Sequence, residues 1–196
     1  MGVEPRNTIL NNLEQNSYEK FPKIIIHIND GRDIRVTLDR DSAPATVANF
    51  LNLVDSGYYN GLCFHRIIPE FLIQTGGYYV KGNNVIAEMQ EMPKINGEFI
   101  SNNFKKNQIR HEPGVISMAR GKEMNSASTQ FFICAGVTSY LDGHYAAFGK
   151  VSDMESLEVV MDLSNSETIV INAAFTDFAY PPVIVEYIIR DEVSSS

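Results

Sequence analysis

The chain has 196 residues, 44 % of them hydrophobic, which suits one domain with a sizeable core. Its formal net charge is -8 and no Lys/Arg-rich block appears, which argues against phosphate-backbone binding and a nucleic-acid partner. No apolar run reaches the roughly 18 residues of a membrane span, and no signal peptide is visible, so a soluble, cytoplasmic protein with no membrane partner is expected.

Residues 1–20 are polar and rich in Asn and Glu, and read as an N-terminal extension, either one short helix around Ile9 to Leu13 or a loose arm. From Lys23 the pattern sharpens. "KIIIHIN" and "RDIRVTLD" flank Asp30-Gly31, a strong short signal for a hairpin. Ile34, Val36 and Leu38 alternate with polar residues, so one face of the second strand is buried. In "SAPATVANFLNLVDSG", Val47, Phe50, Leu51 and Val54 recur at the spacing of an amphipathic helix. Pro44 suits its first turn, and Gly57 the position past its end. Strand-like runs return at "LCFHRII", "FLIQTGG", "GVISMA", "QFFICAG" and "AAFGKV". A second helix reads out of "SDMESLEVVMDLS", with Ser152 and Glu155 as a capping box and Leu157, Val160 and Met161 as the inner stripe. "PVIVEYIIRD" is the closing strand, and 193–196 a disordered tail.

About eight short strands and two helices, without regular βα alternation, favour an all-β fold: a closed eight-stranded antiparallel barrel capped by two α-helices. Residues 78–113 hold few periodic signals, and a connection that long is usually functional or ligand-lining. Cys63 and Cys134 are few for a secreted disulfide framework; packed, reduced thiols are the simpler reading and one disulfide the alternative.

The stretch "FHRIIPEFLIQTGG", residues 64–77, sets Arg66 in an apolar run with no acid at alternate spacing; the next carboxylate, Glu70, lies beyond a proline. Alternation would put Phe64, Arg66 and Ile68 on one face, and Cys63, His65 and Ile67 on the other. Pro69 interrupts the ladder, so the phase does not carry through it. Arg66 and Gln74, on either side of that turn, would face each other on paired strands, giving the arginine a neutral partner. Farther on, "NSAST" feeds a strand whose alternation puts Gln130 and Phe132 on one face. No H-E-x-x-H, C-x-x-C, G-x-S-x-G or Walker spacing occurs, so no metal is expected, and His27, His111 and His144 read as structural.

The combination "FHRIIPEF…Q", "SMA", "QFFI" and "LDG…AFGKV" resembles the cyclophilins, the peptidyl-prolyl cis-trans isomerases, over about Lys23 to Asp191 and in the family's order. "SMAR…NSASTQFF" and Tyr145 look like bacterial-type members. The resemblance implies an isomerase domain over 21–192 with the barrel and two helices described above, acting on proline-containing peptides and unfolded proteins as a monomer. It places the catalytic arginine on Arg66, the neighbouring site histidine on His65 and the glutamine that orients the arginine on Gln74. The proline pocket falls on Phe71, Leu72, Phe132 and Leu141, and substrate-backbone and rim positions on Ala119, Arg120 and Gln130. Tyr140 stands where many members carry tryptophan, which implies weakened cyclosporin binding, and Tyr145 where eukaryotic members carry a second histidine. The chain departs from the family's Gln-Gly-Gly-Asp by reading Gln74-Thr75-Gly76-Gly77. Rotation about an X-Pro bond makes and breaks no bond, so it needs no nucleophile, metal or cofactor. A binding module that grips proline segments, or a chaperone with little turnover, is the rival reading.

Overall fold

A computed structural model of the protein describes residues 19–82 and 85–191; the arm and tail expectations for 1–18 and 192–196 lie outside the described residues. Strands β1 (Lys23–Ile28) and β2 (Asp33–Leu38) form the expected hairpin, with Ile26 opposite Ile34. Gly31 takes φ 87 in its turn, a left-handed conformation that glycine adopts without a Cβ penalty. The alternation is complete: Ile24, Ile26, Ile28, Ile34, Val36 and Leu38 are all fully buried.

Helix α1 (Pro44–Asp55) buries Val47, Phe50, Leu51 and Val54 and carries proline in its first turn. Ala43 offers it no side-chain cap. Instead the buried carboxylate of Glu98, in the long connection, accepts from Ala45 N at 3.0 Å and Thr46 N at 2.8 Å. A negative charge there also faces the positive end of the helix dipole. Helix α2 (Met154–Ser164) is capped by Asp153, which accepts from Ser156 N at 2.7 Å. The expected Ser152 cap is thus displaced by one residue: the Ser152 hydroxyl is taken by Thr37 Oγ1, 2.8 Å away. The buried stripe is Val159, Val160 and Leu163, with Leu157 and Met161 at its margins.

The other strands are β3 (Leu62–Cys63), β4 (Arg66–Ile68), β5 (Leu72–Thr75), β6 (Tyr78–Lys81), β7 (Val85–Glu88), β8 (Val115–Met118), β9 (Phe131–Cys134), β10 (Ala147–Val151), β11 (Thr168–Ile169), β12 (Phe178–Ala179) and β13 (Ile184–Arg190). Eleven of the strands make one antiparallel sheet in the order β4-β5-β9-β8-β10-β2-β1-β13-β3-β6-β7, and β11 pairs with β12 separately. This corrects the expectation of a closed eight-stranded barrel. The ladder ends at β4 on one side and β7 on the other, and hydrogen bonds do not close it.

The interruption falls at Phe64-His65, between β3 and β4. There Phe64 N donates to Val183 O, and Ile67 N donates to Asp177 O in the loop before β12 instead of to a strand. The same break undoes the expected face-sharing of Phe64 and Arg66. Phe64 turns into the main core beside Ile67, while Arg66 is half-buried on the other side. Among the described residues, no helix is long and apolar enough to cross a membrane.

Candidate active site

The β4–β5 hairpin places Arg66 directly opposite Gln74, and Arg66 Nη1 points at Gln74 Oε1 at 3.5 Å. Gln74 Nε2 donates to Gln130 Oε1 at 3.0 Å, so three polar side chains form one line. The Arg66 guanidinium lies 5.4 Å from the centre of the Phe71 ring. None of the ion pairs among the described residues includes Arg66. Its donors are therefore held loosely by a neutral acceptor and an aromatic face.

The segment after Gln74 explains why its sequence is Thr-Gly-Gly. Thr75 is buried and donates to Cys63 O at 2.8 Å. Gly76 has φ +98, and a Cβ there would meet Thr129 O at 2.6 Å; one on Gly77 would meet Gln130 Nε2 at 2.5 Å. The two glycines let the backbone pass against Gln130 and so hold that end of the line.

Beside the line lies a small apolar cluster separate from the main core: Leu72, Val115, Phe132, Cys134, Leu141 and Ala147, flanked by Phe71, Ile109, Ala119 and Tyr145. It arises because β5 and β9 alternate. Ile73, Phe131 and Ile133 face the main core, and Leu72 and Phe132 face the other way. Phe71, although it precedes β5, joins Leu72 on this side. A 3-10 turn over Ser139–Leu141 delivers Leu141. The Tyr145 ring meets Phe132 edge-on at 5.9 Å. Tyr140 is 65 % exposed with its ring 6.0 Å from Phe71, so it stands on the rim. Arg120 is pinned: its guanidinium lies over Tyr145 at 4.6 Å and Phe99 at 5.2 Å and donates to His144 O from Nε and Nη2.

His65 is only 6 % exposed, and its Nδ1 is buried without a hydrogen-bond partner. Burial, with the Arg66 charge nearby, pushes its pKa down to about 4, so the ring is neutral at physiological pH. Behind Phe132 sits an arrangement that the sequence did not disclose. His111 Nδ1 lies 2.9 Å from Asp142 Oδ1, its Nε2 lies 3.0 Å from Ser117 Oγ, and its ring stacks on Phe132 at 6.2 Å. Burial lowers the His111 pKa despite Asp142. A neutral ring beside a carboxylate donates from Nδ1, which leaves Nε2 to accept from Ser117. The order of groups is that of a nucleophilic triad. Ser117, however, is fully buried, so the assembly buttresses the Phe132 ring and cannot attack a ligand. The cysteines are both free and buried, and burial raises Cys63 to about 12 and Cys134 to about 11, which makes them inert packed thiols.

Two cavities flank the polar line. A groove of about 520 Å³ runs between Gln74, Gln130, Ala119 and Arg120 on one side and residues 88–92 on the other, so the poorly periodic segment does line a cleft. A second cavity of about 220 Å³ borders His65, Arg66, Gln74 and Gln130 and is completed by Tyr78 and residues 174–177. No local pattern marked Phe175 or Asp177; only the tertiary fold brings them to Arg66. Among the described residues, no group of three or more His, Cys, Asp or Glu is placed to hold a metal ion.

The family profile described as cyclophilin type peptidyl-prolyl cis-trans isomerase/CLD matches residues 23–185. The chain belongs to the cyclophilin family. Peptidyl-prolyl cis-trans isomerase A of Dickeya dadantii is 37 % identical over 141 residues, covering 69 % of this chain and 68 % of that relative. A peptidyl-prolyl cis-trans isomerase of Synechococcus elongatus is 36 % identical over 151 residues, covering 74 % of this chain and 92 % of the relative. Among solved structures, a Cryptosporidium parvum cyclophilin type isomerase superposes with a TM-score of 0.66 at 26 % identity, covering 88 % of this chain and 99 % of that one. The same isomerase, solved in the presence of the dipeptide Ala-Pro, gives the same score over 87 % of this chain. In this cyclophilin, all the positions that the family resemblance selected lie around the polar line, the apolar cluster and the groove. Tyr140 and Arg120 lie at the margin.

Proposed function

We propose that Arg66, held by Gln74, is the donor with which this cyclophilin catalyses rotation about X-Pro bonds, and that Phe71, Leu72, Phe132 and Leu141 grip the proline ring. The amide barrier is about 18–20 kcal/mol, because resonance keeps the bond planar. In the twisted state the nitrogen becomes pyramidal and gains a lone pair. A fixed donor aimed at that lone pair binds the transition state better than the planar ground state, which is the condition for catalysis. Arginine is permanently charged and several-donored, so it serves the nitrogen while keeping Gln74. The observation that carries this reading is that, among the described residues, no acid pairs with Arg66 beside the apolar cluster, since a carboxylate would occupy the same donors.

His65 and Gln130, with the backbone at Ala119 and Arg120, hold the peptide on either side of the proline; Tyr145 walls the slot. Proline-containing segments of unfolded chains are the clients of such a site, so the activity assists folding. The cytoplasmic location and monomeric state belong to the same proposal and rest on composition and on the family. Tyr140 offers an exposed phenol on the rim, which supports weak cyclosporin binding, read by competition in the assay below.

The test is a protease-coupled assay on proline tetrapeptides. A charged hydrogen bond contributes about 1.5–3 kcal/mol and each tenfold of rate needs about 1.36 kcal/mol, so Arg66→Ala lowers kcat/KM by about 10- to 100-fold. Its circular dichroism stays that of the wild type. Full activity in Arg66→Ala sinks the mechanism. Peptide binding by the wild type without turnover favours the binding-module reading.

A further inference from the structure

The geometry points to the 220 Å³ cavity beside Arg66 as a subsite for an aromatic side chain of the substrate, one or two residues from the proline and on the side opposite the larger groove. The inference rests on the isomerase reading of the site and adds a substrate class to it.

Three rings make the wall. Tyr78 meets His65 edge-on at 4.7 Å and Phe175 edge-on at 4.9 Å, and His65 and Phe175 are 6.3 Å apart at 87°. Ring faces and edges arranged this way prefer a further ring, because edge-to-face pairs gain beyond the area that they bury.

The wall is pre-formed. Asn172 accepts from Ala174 N at 2.8 Å through its side chain and from Phe175 N at 3.1 Å through its carbonyl, and Ile171 N donates to Phe175 O. One residue pair farther on, Ile67 N donates to Asp177 O, which fastens this loop to the strand that carries Arg66. Thr176 Oγ1 donates to Asp177 Oδ2 at 2.9 Å on the rim, and Asp177 and Arg66 make no ion pair. Gln74 and Gln130 border both this cavity and the groove. An extended peptide that crosses the polar line therefore meets the groove on one side of its proline and the aromatic wall on the other.

The test uses proline peptides with Trp, Phe, Leu or Ala at each position within two residues of the proline, on the wild type and Phe175→Ala. Affinity is read by calorimetry and turnover by exchange spectroscopy. At one position, wild-type affinity for Trp or Phe peptides is about tenfold that for the Ala peptide. In Phe175→Ala that ratio collapses toward one. Titration of the wild type with the Trp peptide moves the amide resonances of Tyr78 and Phe175, and the Ala peptide moves them less. No aromatic preference at any position, a preference that survives in Phe175→Ala, or unmoved Tyr78 and Phe175 resonances overturns the subsite. Aromatic-dependent binding without turnover sinks the isomerase reading and leaves the subsite standing. Turnover without aromatic dependence does the reverse.

Discussion

Phe131 and Phe132 are neighbours on β9 and both almost wholly buried, at 0 % and 3 % exposure, yet they serve different regions. Phe131 packs edge-on against Phe50 at 5.3 Å and Tyr59 at 5.3 Å, inside the main core that the sheet and α1 enclose. Phe132 turns to the other face, where its neighbours are Leu72, Leu141, Tyr145 and the His111 ring. The first face is filled on all sides by side chains. The second belongs to a smaller cluster, edged by Phe71, Ala119 and Tyr145, which are only partly buried. Strand alternation alone makes both from consecutive residues, so burial by itself does not separate stability from function.

The largest effect that would break this division comes from truncating each phenylalanine. Phe131→Ala leaves a closed void and costs about 3–5 kcal/mol, a large share of the roughly 5–15 kcal/mol that a domain has. Phe132→Ala lies in the smaller cluster, whose partly buried edge residues Phe71, Ala119 and Tyr145 can close on the space, so it costs less, about 1.5–3 kcal/mol. Urea unfolding of both variants measures this. Isomerase assays run the opposite way: Phe132→Ala loses about tenfold or more in kcat/KM, because the proline ring loses a wall. Equal stability losses, or a more active Phe132→Ala than Phe131→Ala under folded conditions, would show that the two faces are not distinct.

A smaller effect distinguishes the faces through pH. The folded pKa of His65 is about 4, below its ordinary 6.5. Between those values the unfolded chain takes up a proton that the folded chain refuses, so stability is full near pH 7 and falls as pH drops through 6.5 toward 4. At pH 4.5 this loss amounts to about 2–3 kcal/mol. His111 is shifted in the same direction, so the wild type has both contributions. His65→Gln removes one of them: its unfolding free energy changes less between pH 7 and 4.5 than that of the wild type, by about 2 kcal/mol. Identical pH slopes in the two proteins would mean that His65 is not held neutral by burial.

Much of this organisation was legible in the sequence, and what was not has a common cause. The β1–β2 hairpin and α1 follow from local period and turn chemistry, and the structure keeps both. The pairing of Arg66 with Gln74 followed from their spacing across Pro69. Closure of the sheet did not follow, because a strand tally counts apolar runs and does not see that "LCFHRII" breaks at Phe64-His65 into two strands with different partners. The α2 cap slipped by one residue because Ser152 and Asp153 are both competent caps, and Thr37, distant in sequence, decided between them. His111 reads as structural in sequence, but its partners do not show there, since Asp142 and Ser117 reach it only through the fold. Glu98, Phe175 and Asp177 share that property: each acts across a gap that no local pattern spans.

The smallest effect concerns Glu70, the carboxylate nearest to Arg66 in sequence. Ile68-Pro69-Glu70-Phe71 forms a turn closed by Phe71 N donating to Ile68 O at 3.2 Å, and Glu70 takes φ 56 within it. Proline followed by a left-handed residue is the pattern of a type II turn, where glycine is the favoured third residue. A left-handed residue with a Cβ costs about 1–2 kcal/mol, and glycine returns part of that gain through the freedom it adds to the unfolded chain. Glu70→Gly therefore stabilises the protein by about 0.5–1 kcal/mol, read as a shift in the urea midpoint. Phe71 stays in place, because its carbonyl still accepts from Ala135 N at 2.9 Å. Glu70 is exposed and makes no ion pair with Arg66, so kcat/KM moves by less than about twofold. A large rise in activity on removing this carboxylate would mean that it does draw on the arginine in solution. The site would then owe its free donors to geometry that the turn only partly enforces.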